Sequence, residues 1–446
     1  MLSVLRNRTY RHLFTAQVIA LVGTGLATVA LGLLAYDIAG ADAGSVLGTA
    51  LAIKMVAYVA IAPAIGAVAD RLPRRTLMVG ADLIRASVAL MLPFVDQIWQ
   101  VYVLIFLLQS ASAAFTPTFQ AVIPDVLPAE RDYTQALSLS RLAYDLESLF
   151  SPAVAAALLS LVTYNWLFLG TVAGFLASAA LVVSAVLAKP VTAAEPRTGS
   201  AYAKATAGTR LFFATPQLRA LLLLNLAVAA ASAMVTVNSV VYVRDQLGHS
   251  AADVSLALGA YGGGSMVVAL LLPRMLDRTS DRTVMLRGAL LLAVVFAGLG
   301  ALTAAGSGGW HWPALLLIWA AFGAACSMVL TPTGRLIRRS VPPEQRTSAF
   351  AAQFSLSHSC WLLTYPLAGW LGAVAGLESA VIALGVISLG AGVSAVLVWP
   401  SREQEPAVHE HTDLHADHPH LVNAERVRDG WRHRHHYLAD GLHAHN

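Results

Sequence analysis

Apolar runs of about 20 residues, each long enough to cross a hydrocarbon core of roughly 30 Å, recur along nearly the whole chain. The polar stretches between them alternate between arginine-rich and arginine-poor. The runs are continuous rather than alternating in polarity, so they read as helices and not strands. In lipid only helices or closed barrels satisfy every backbone polar group internally. Twelve spans are predicted, over 12–37, 45–69, 76–95, 98–123, 134–160, 164–187, 218–243, 250–273, 283–304, 311–334, 347–372 and 376–399.

The charge of the connections orients these spans. One set carries Arg71, Arg74 and Arg75, then Arg131, then Lys189, Arg197, Lys204 and Arg210. It continues with Arg274, Arg278 and Arg282, and then Arg335, Arg338, Arg339 and Arg346. The other set carries one arginine, Arg244. Positive loops stay inside, so the first set and both termini are expected in the cytoplasm. The basic start, Met1 to Arg11, runs straight into a full-length apolar segment and reads as an uncleaved first span.

Composition agrees: 57% of the 446 residues are hydrophobic and 12% charged, about half the charged share of a soluble protein. The net charge of +4 is accounted for by the loop arginines, so no nucleic-acid partner is expected. Cys326 and Cys360 fall inside apolar runs and read as small buried hydrophobes rather than a disulfide. The stretch 188–217, with Pro190, Pro196, Gly199 and Ser200, is the one long polar connection before the C-terminal tail. It divides the chain into a six-helix bundle over 1–187, a cytoplasmic linker, a second six-helix bundle over 218–400 and a polar tail over 401–446.

The two bundles repeat each other. Asp70-Arg71-Leu-Pro-Arg-Arg75-Thr76-Leu-Met78 follows span 2, and Asp277-Arg278-Thr-Ser-Asp-Arg282-Thr283-Val-Met285 follows span 8, identical at five of nine positions. Thr116-Pro117-Thr118 closes span 4, and Thr331-Pro332-Thr333 closes span 10. At that second offset Arg131 matches Arg346, Ala136 matches Ala351 and Ser140 matches Ser355. Parallel repeats with a site at their interface are an architecture of alternating-access transporters.

Gly66-Ala-Val-Ala-Asp70-Arg71-Leu-Pro-Arg74-Arg75 resembles the loop 2–3 signature of the major facilitator superfamily, with Pro73 where that signature has Gly. The segment Phe115-Thr-Pro117-Thr-Phe-Gln-Ala-Val-Ile-Pro124-Asp125 through Ala136-Leu-Ser-Leu resembles its exporter branch, which includes siderophore and drug exporters. The resemblance covers about residues 1–400 and implies an all-α membrane fold of twelve helices in two pseudo-symmetric bundles. Asp70, Arg71, Arg74, Arg75, Asp277 and Arg278 are then expected to gate the cytoplasmic face. Ser148 and Ser151-Pro152-Ala153 are similar to the small-residue and proline pattern in span 5 of proton-coupled exporters, with Ser and Ala in place of Gly.

Ionisable groups inside a membrane cost several kcal/mol and are functional candidates by default. Lys54 lies in span 2, Asp82 and Arg85 in span 3, Arg141, Asp145 and Glu147 in span 5, and His358 in span 11. Asn225 and Asn238 lie in span 7. Asp82 and Arg85 can pair one turn apart, as can Arg141 and Asp145. Asp145 and Glu147 lie about 200° apart around their helix, so they face different neighbours. The family resemblance implies that spans 2, 5, 8 and 11 line the cavity. That makes Lys54, Asp145, Glu147 and His358, with Arg141, Tyr144 and Asn238, the candidates for substrate or proton handling.

The tail holds ten of the 14 histidines: His409, His411, His415, His418, His420, His433, His435, His436, His443 and His445. A His-rich tract reads as metal binding, and imidazole with interleaved carboxylates suits nickel, zinc, copper or cobalt. No fixed ligand spacing is present, so a disordered, multi-metal collector is expected. Such a tail, with Tyr133-Thr-Gln-Ala-Leu-Ser-Leu-Ser-Arg141-Leu-Ala-Tyr144-Asp145-Leu-Glu147-Ser148 in span 5, resembles the NreB-type nickel-resistance exporters.

The sequence therefore points to a monomeric, multi-pass transporter of a bacterial inner membrane. It would export nickel, with cobalt second, by proton-coupled alternating access, the metal being cargo and not a resident cofactor. Its partners would be the bilayer, transition-metal ions and protons. Two alternatives stand: an exporter of an organic compound or metal chelate (siderophore, iron citrate, drug), and a membrane-anchored metal sensor. No nucleophile–base set or phosphate loop is visible, so an enzyme is not expected.

Overall fold

The computed structural model describes residues 2–39, 43–68, 72–159, 161–187, 206–305, 308–400, 407–411, 425–427 and 430–435. The N-terminal unit comprises α1 (Arg8–Ala39), α2 (Ala43–Val68), α3 (Arg74–Met91), α4 (Ile98–Val126), α5 (Glu130–Leu159) and α6 (Tyr164–Ser184). After a short α7 (Ala207–Ala214) come α8 (Pro216–Val240), α9 (Ala251–Leu276), α10 (Asp281–Ala304) and α11 (His311–Leu330). A short α12 (Thr333–Ser340), then α13 (Arg346–Val374) and α14 (Gly376–Val398), complete the helices. A long helix occupies each of the twelve expected intervals. Among the described residues nine helices are long and apolar enough to cross a membrane. α2, where the described apolar stretch is the shorter Ala52–Ile65, and α5 and α13 are not among the nine; α5 and α13 carry polar residues that meet the other unit, described below.

The repeat seen in sequence is repeated in packing. In the N-terminal unit α1 packs on α6 and α5, and α3 on α4 and α6, while α2 packs on α4. The corresponding pairs in the C-terminal unit are α8 on α14 and α13, α10 on α11 and α14, and α9 on α11. The two units meet along two seams, α2 against α13 and α5 against α9. Exchanging the halves converts one seam into the other, so the packing has pseudo-two-fold symmetry.

Glycine sets the closest of these approaches. A Cβ on Gly323 of α11 would lie 1.8 Å from the Tyr261 carbonyl oxygen, and one on Gly264 of α9 would lie 1.9 Å from that of Ala320. Small residues let helix backbones touch where water is absent to drive association. α8 is the most enclosed span: Ala227, Val228, Ala229, Ala230, Ala231 and Ala233 are all fully buried.

Three expectations change. Part of the expected linker, Ala207–Ala214, is a helix. Phe212 is buried there, and a Cβ on Gly208 would lie 2.2 Å from the Ser348 carbonyl oxygen, so this turn docks closely on α13. Span 10 stops at Leu330 and restarts at Thr333, since Pro332 has no N–H with which to continue the ladder. The tail, expected to be disordered, contains a three-stranded antiparallel sheet, β1 (Ala407–His411), β2 (Glu425–Val427) and β3 (Gly430–His435), in the order β1-β3-β2.

The sheet register pairs His409 with His433, His411 with Trp431 and Ala407 with His435. His409 and His411 of β1, and His433 and His435 of β3, thus stand at alternate positions of the paired strands. His415, His418, His420, His436, His443 and His445 lie outside the described residues, as do Asp70 and Arg71.

Candidate functional site

Two polar clusters occupy the seams between the units. At the α2–α13 seam, Lys54 and Tyr58 are four residues apart on one face of α2. The Lys54 ammonium sits 5.7 Å from the centre of the Tyr58 ring. Tyr58 meets Phe354 at 4.8 Å and the edge of His358 at 4.7 Å between ring centres. His358 lies 4.2 Å from Phe354 and 5.3 Å from Trp361. Its Nδ1 donates to the Phe354 carbonyl oxygen at 2.6 Å, because a carbonyl can only accept. Tyr58 donates to Gln109 at 2.9 Å within the N-terminal unit, and Ser355 donates to the Val59 carbonyl oxygen at 2.7 Å, which ties the two units together.

At the α5–α9 seam, Arg141 pairs with Asp145 at 3.0 Å one turn away. Ser265 of α9 donates to Asp145 at 2.7 Å, and Arg141 Nε donates to Ser265 at 3.0 Å. The triangle closes a buried carboxylate, a guanidinium and a hydroxyl across the boundary between units. A charge held this way would cost several kcal/mol if its partner were removed. Asp145 thus faces the opposite unit. Glu147 lies within electrostatic range of Lys54 of its own unit, so the two acids face different neighbours.

The other intramembrane groups lie elsewhere. Asp82 and Arg85 pair inside the N-terminal unit, where Ser178 donates to Asp82 at 2.7 Å. The Arg85 guanidinium lies between Phe115 and Phe175, 4.5 Å from each ring centre. Arg85 also lines a small pocket of about 40 Å³ with Tyr144, Gln17 and Phe119. Asn238 is buried between α8 and α13, within reach of the Ala368 carbonyl at 3.5 Å. A Cβ on Gly372 would lie 2.7 Å from its Oδ1, so Asn238 packs the C-terminal unit together and joins neither seam cluster.

The arginine-rich end is tied across the units by ion pairs. Glu130, at the start of α5, binds Arg335 at 2.9 Å and Arg339 at 2.5 Å, both from α12. The same arginines bind Asp281 of α10 at 3.0 and 3.1 Å. Arg335 also donates to Thr134 at 3.0 Å, and Arg338 reaches the Pro128 carbonyl. Asp125, near the end of α4, binds Arg346 of α13 at 3.2 Å and is shared with Arg74 of its own unit.

The expected gate therefore meets the unit boundary only in part. Arg74 reaches the ties through Asp125, while Arg75 donates to the Ala185 carbonyl within its own unit. Asp277 and Arg278 are exposed at the end of α9. The residues that bridge the units, Asp125, Glu130, Arg335, Arg338, Arg339 and Arg346, were legible only as loop charge. Asp125, Glu130 and Asp132 share a connection with a single arginine, Arg131, so nothing in the sequence singled out the two acids.

Among the described residues no group of three His, Cys, Asp or Glu side chains is arranged to hold a metal ion.

The described family model of the Major Facilitator Superfamily matches residues 13–318 and again 221–436. Macrolide efflux protein A of Streptococcus pyogenes is 29% identical over 158 residues, 34% of this chain and 38% of that protein. The aligned segment is therefore well under half the length of that relative. An uncharacterized MFS-type transporter of Bacillus subtilis (strain 168), YfiS, is 24% identical over 345 residues, 76% of this chain and 81% of that one. Solved structures that share the fold include the following two. The human organic anion transporter MFSD10 has a TM-score of 0.75 at 14% identity, covering 87% of this chain and 99% of that one. A bacterial homologue of the iron transporter ferroportin in an outward-facing state has a TM-score of 0.69 at 16% identity, covering 87% and 98%.

Proposed function

The chain belongs to the major facilitator superfamily, and from that membership we propose a proton-coupled efflux transporter whose cargo is an amphiphilic organic molecule. The observation that carries the cargo is the α2–α13 seam. Tyr58, Phe354, His358 and Trp361 form a run of rings beside Lys54, whose ammonium lies 5.7 Å from the Tyr58 ring centre. Rings with a few placed polar groups suit an organic solute. The partial likeness to a macrolide efflux protein supports export and makes a macrolide the first cargo to test.

In this reading the arginine-rich end faces the cytoplasm, and the ties from Glu130 and Asp125 hold that end shut. Asp145 and Glu147 are the proton carriers. Protonating Asp145 would weaken its hold on Arg141 and Ser265 at the α5–α9 seam. It would let the units rock about the two seams while cargo and proton exchange sides.

A second reading, export of nickel or cobalt in the manner of the NreB-type exporters, is favoured by one observation. The tail sheet sets His409 of β1 opposite His433 of β3 in register, and a His-rich tract suits such ions.

One experiment separates the two. Accumulation of labelled erythromycin and of labelled nickel is measured in an efflux-deficient bacterial host with and without the protein, and with residues 401–446 deleted. Lower erythromycin, abolished by a protonophore and indifferent to the tail, supports the first reading. Lower nickel that depends on the tail supports the second. Normal levels of both with the protein present in the membrane would refute each.

A further inference from the structure

The short turn 277–280 joins α9 to α10 at the arginine-rich end. Beyond that turn the two helices diverge, because α11 packs against both and they hardly touch each other. Leu272 and Leu276 of α9 and Val284 of α10 form one buried cluster, with Met328 of α11 packed on it. A Cβ on Gly288 of α10 would lie 3.0 Å from that of Met328, so α10 sits tightly on α11 at this level. The cluster is the floor of a groove between α9 and α10.

The rims of the groove end in arginine. Val267, Leu270, Leu271 and Arg274 recur at helical spacing along α9, and all four are exposed. Arg287, Leu290 and Val294 do the same along α10. Exposed apolar side chains on a spanning helix meet lipid, so each stripe faces the bilayer. Arg274 stands two residues before the last residue of α9. Arg287 stands six residues past Asp281, the first of α10, or about 9 Å along the axis. From there a long side chain can lay its stem on the apolar stripe and raise its charge to the headgroups. The face is distinct from the α5–α9 seam: Ser265 and Arg274 are nine positions apart, about 180° around α9.

These charges are not used by the protein itself. Arg335, Arg339 and Arg346 each hold a carboxylate. Arg274, Arg287 and the exposed Arg278 of the turn have no ion-pair partner among the described residues. Asp277 is the exposed acid beside them, and Asp281 is taken by Arg335 and Arg339. The internal repeat does not account for the pair either. At the offset that aligns Asp277 with Asp70 and Arg282 with Arg75, Arg278 matches Arg71, but Arg274 falls on Ala67 and Arg287 on Gly80.

Two guanidinium groups at headgroup level, above stripes that continue as apolar side chains, suit an acidic phosphate carried on acyl chains. Basic pockets between spans bind such headgroups, and a guanidinium takes two phosphate oxygens at once. A soluble acidic segment would match the arginines and leave the stripes uncovered. We propose that the groove between α9 and α10 holds one acidic phospholipid, its phosphate between Arg274 and Arg287 with Arg278 beside it, and its chains along Leu270, Leu271, Leu290 and Val294. The site does not depend on the identity of the cargo.

The test is native mass spectrometry of the purified full-length protein in detergent, titrated with dioleoylphosphatidylglycerol and with dioleoylphosphatidylcholine. The wild type should retain one phosphatidylglycerol in preference to phosphatidylcholine. Arg274→Gln/Arg287→Gln should weaken that binding tenfold or more. Arg131→Gln/Arg219→Gln removes the same charge from exposed positions outside the groove and should bind like the wild type. Both groove arginines are exposed and unpaired, so the double variant should keep the unfolding temperature of the lipid-free protein. Arg287→Gln alone should lose part of the binding, and it keeps the test decisive if the double variant fails to fold. Equal retention of the two lipids, groove variants that hold phosphatidylglycerol as the wild type does, or an equal loss in Arg131→Gln/Arg219→Gln would overturn the proposal. Displacement of the lipid by inorganic phosphate at matching concentration would overturn it in favour of a free-anion site.

Discussion

Glu130→Gln is the most direct perturbation of the link between the two units. It removes two ion pairs, to Arg335 at 2.9 Å and Arg339 at 2.5 Å, without changing side-chain shape. Glu130 is 43% exposed, Arg339 41% and Arg335 10%, so the pairs are worth only what partly solvated pairs are worth. Both arginines keep Asp281, so no buried charge is stranded. The loss should be about 1–2 kcal/mol in total, which shifts the balance between closed and open arginine-rich ends about 5- to 30-fold. Asp281→Asn is the contrast. Asp281 is 3% exposed and holds the same arginines within one unit, so that change should cost about 3–5 kcal/mol of fold stability. The assay is the distance between spin labels at the exposed ends of the units, Arg131 and Arg274, together with thermal unfolding. Glu130→Gln should populate a longer distance with little change in unfolding temperature, and Asp281→Asn should lower that temperature. An unchanged distance distribution in Glu130→Gln would refute the idea that these ion pairs hold the units together.

Three further outcomes are expected. Burial alone would raise the Glu130 carboxyl, but the hydrogen bond and charge of Arg339, with Arg335 and Arg338, outweigh it and hold the group below the ordinary carboxylate range. The contribution of a depressed acid is present above that range and lost as pH falls through the lowered value. The label distance should therefore stay constant through neutral and mildly acid pH and lengthen only below the carboxylate range; a transition near neutrality would contradict this. Asp145→Asn weakens a charged hydrogen-bond set worth about 1.5–3 kcal/mol, so proton-driven transport in proteoliposomes should fall tenfold or more. Retention of full pH-gradient-driven transport would remove Asp145 from the coupling. Gly323→Ala places a Cβ 1.8 Å from the Tyr261 carbonyl oxygen and should destabilise by about 1–3 kcal/mol through overpacking. Gly263→Ala, with nothing within 4 Å, should be close to neutral in the same thermal measurement.

The pattern of the chain alone determined where the long helices lie and that they form two like sets. The period of the apolar runs and the spacing of the Asp-Arg and Thr-Pro-Thr repeats are local properties, carried by residues close in sequence. The pairing of Arg141 with Asp145 was legible for the same reason, since four residues make one helical turn. Ser265 and Tyr58 were not legible as members of the seam clusters. Their roles depend on α9 lying against α5 and α2 against α13, contacts between segments more than a hundred residues apart. Glu130 and Asp125 read as ordinary loop acids until the packing brought Arg335, Arg339 and Arg346 to them. Asn238 read as a site residue because a polar group in an apolar run is costly, and only its neighbours Gly372 and Ala368 explain how it is accommodated. Sequence separation decides this division: helix periodicity fixes which residues share a face, and only the docking of one face on another fixes what each residue meets.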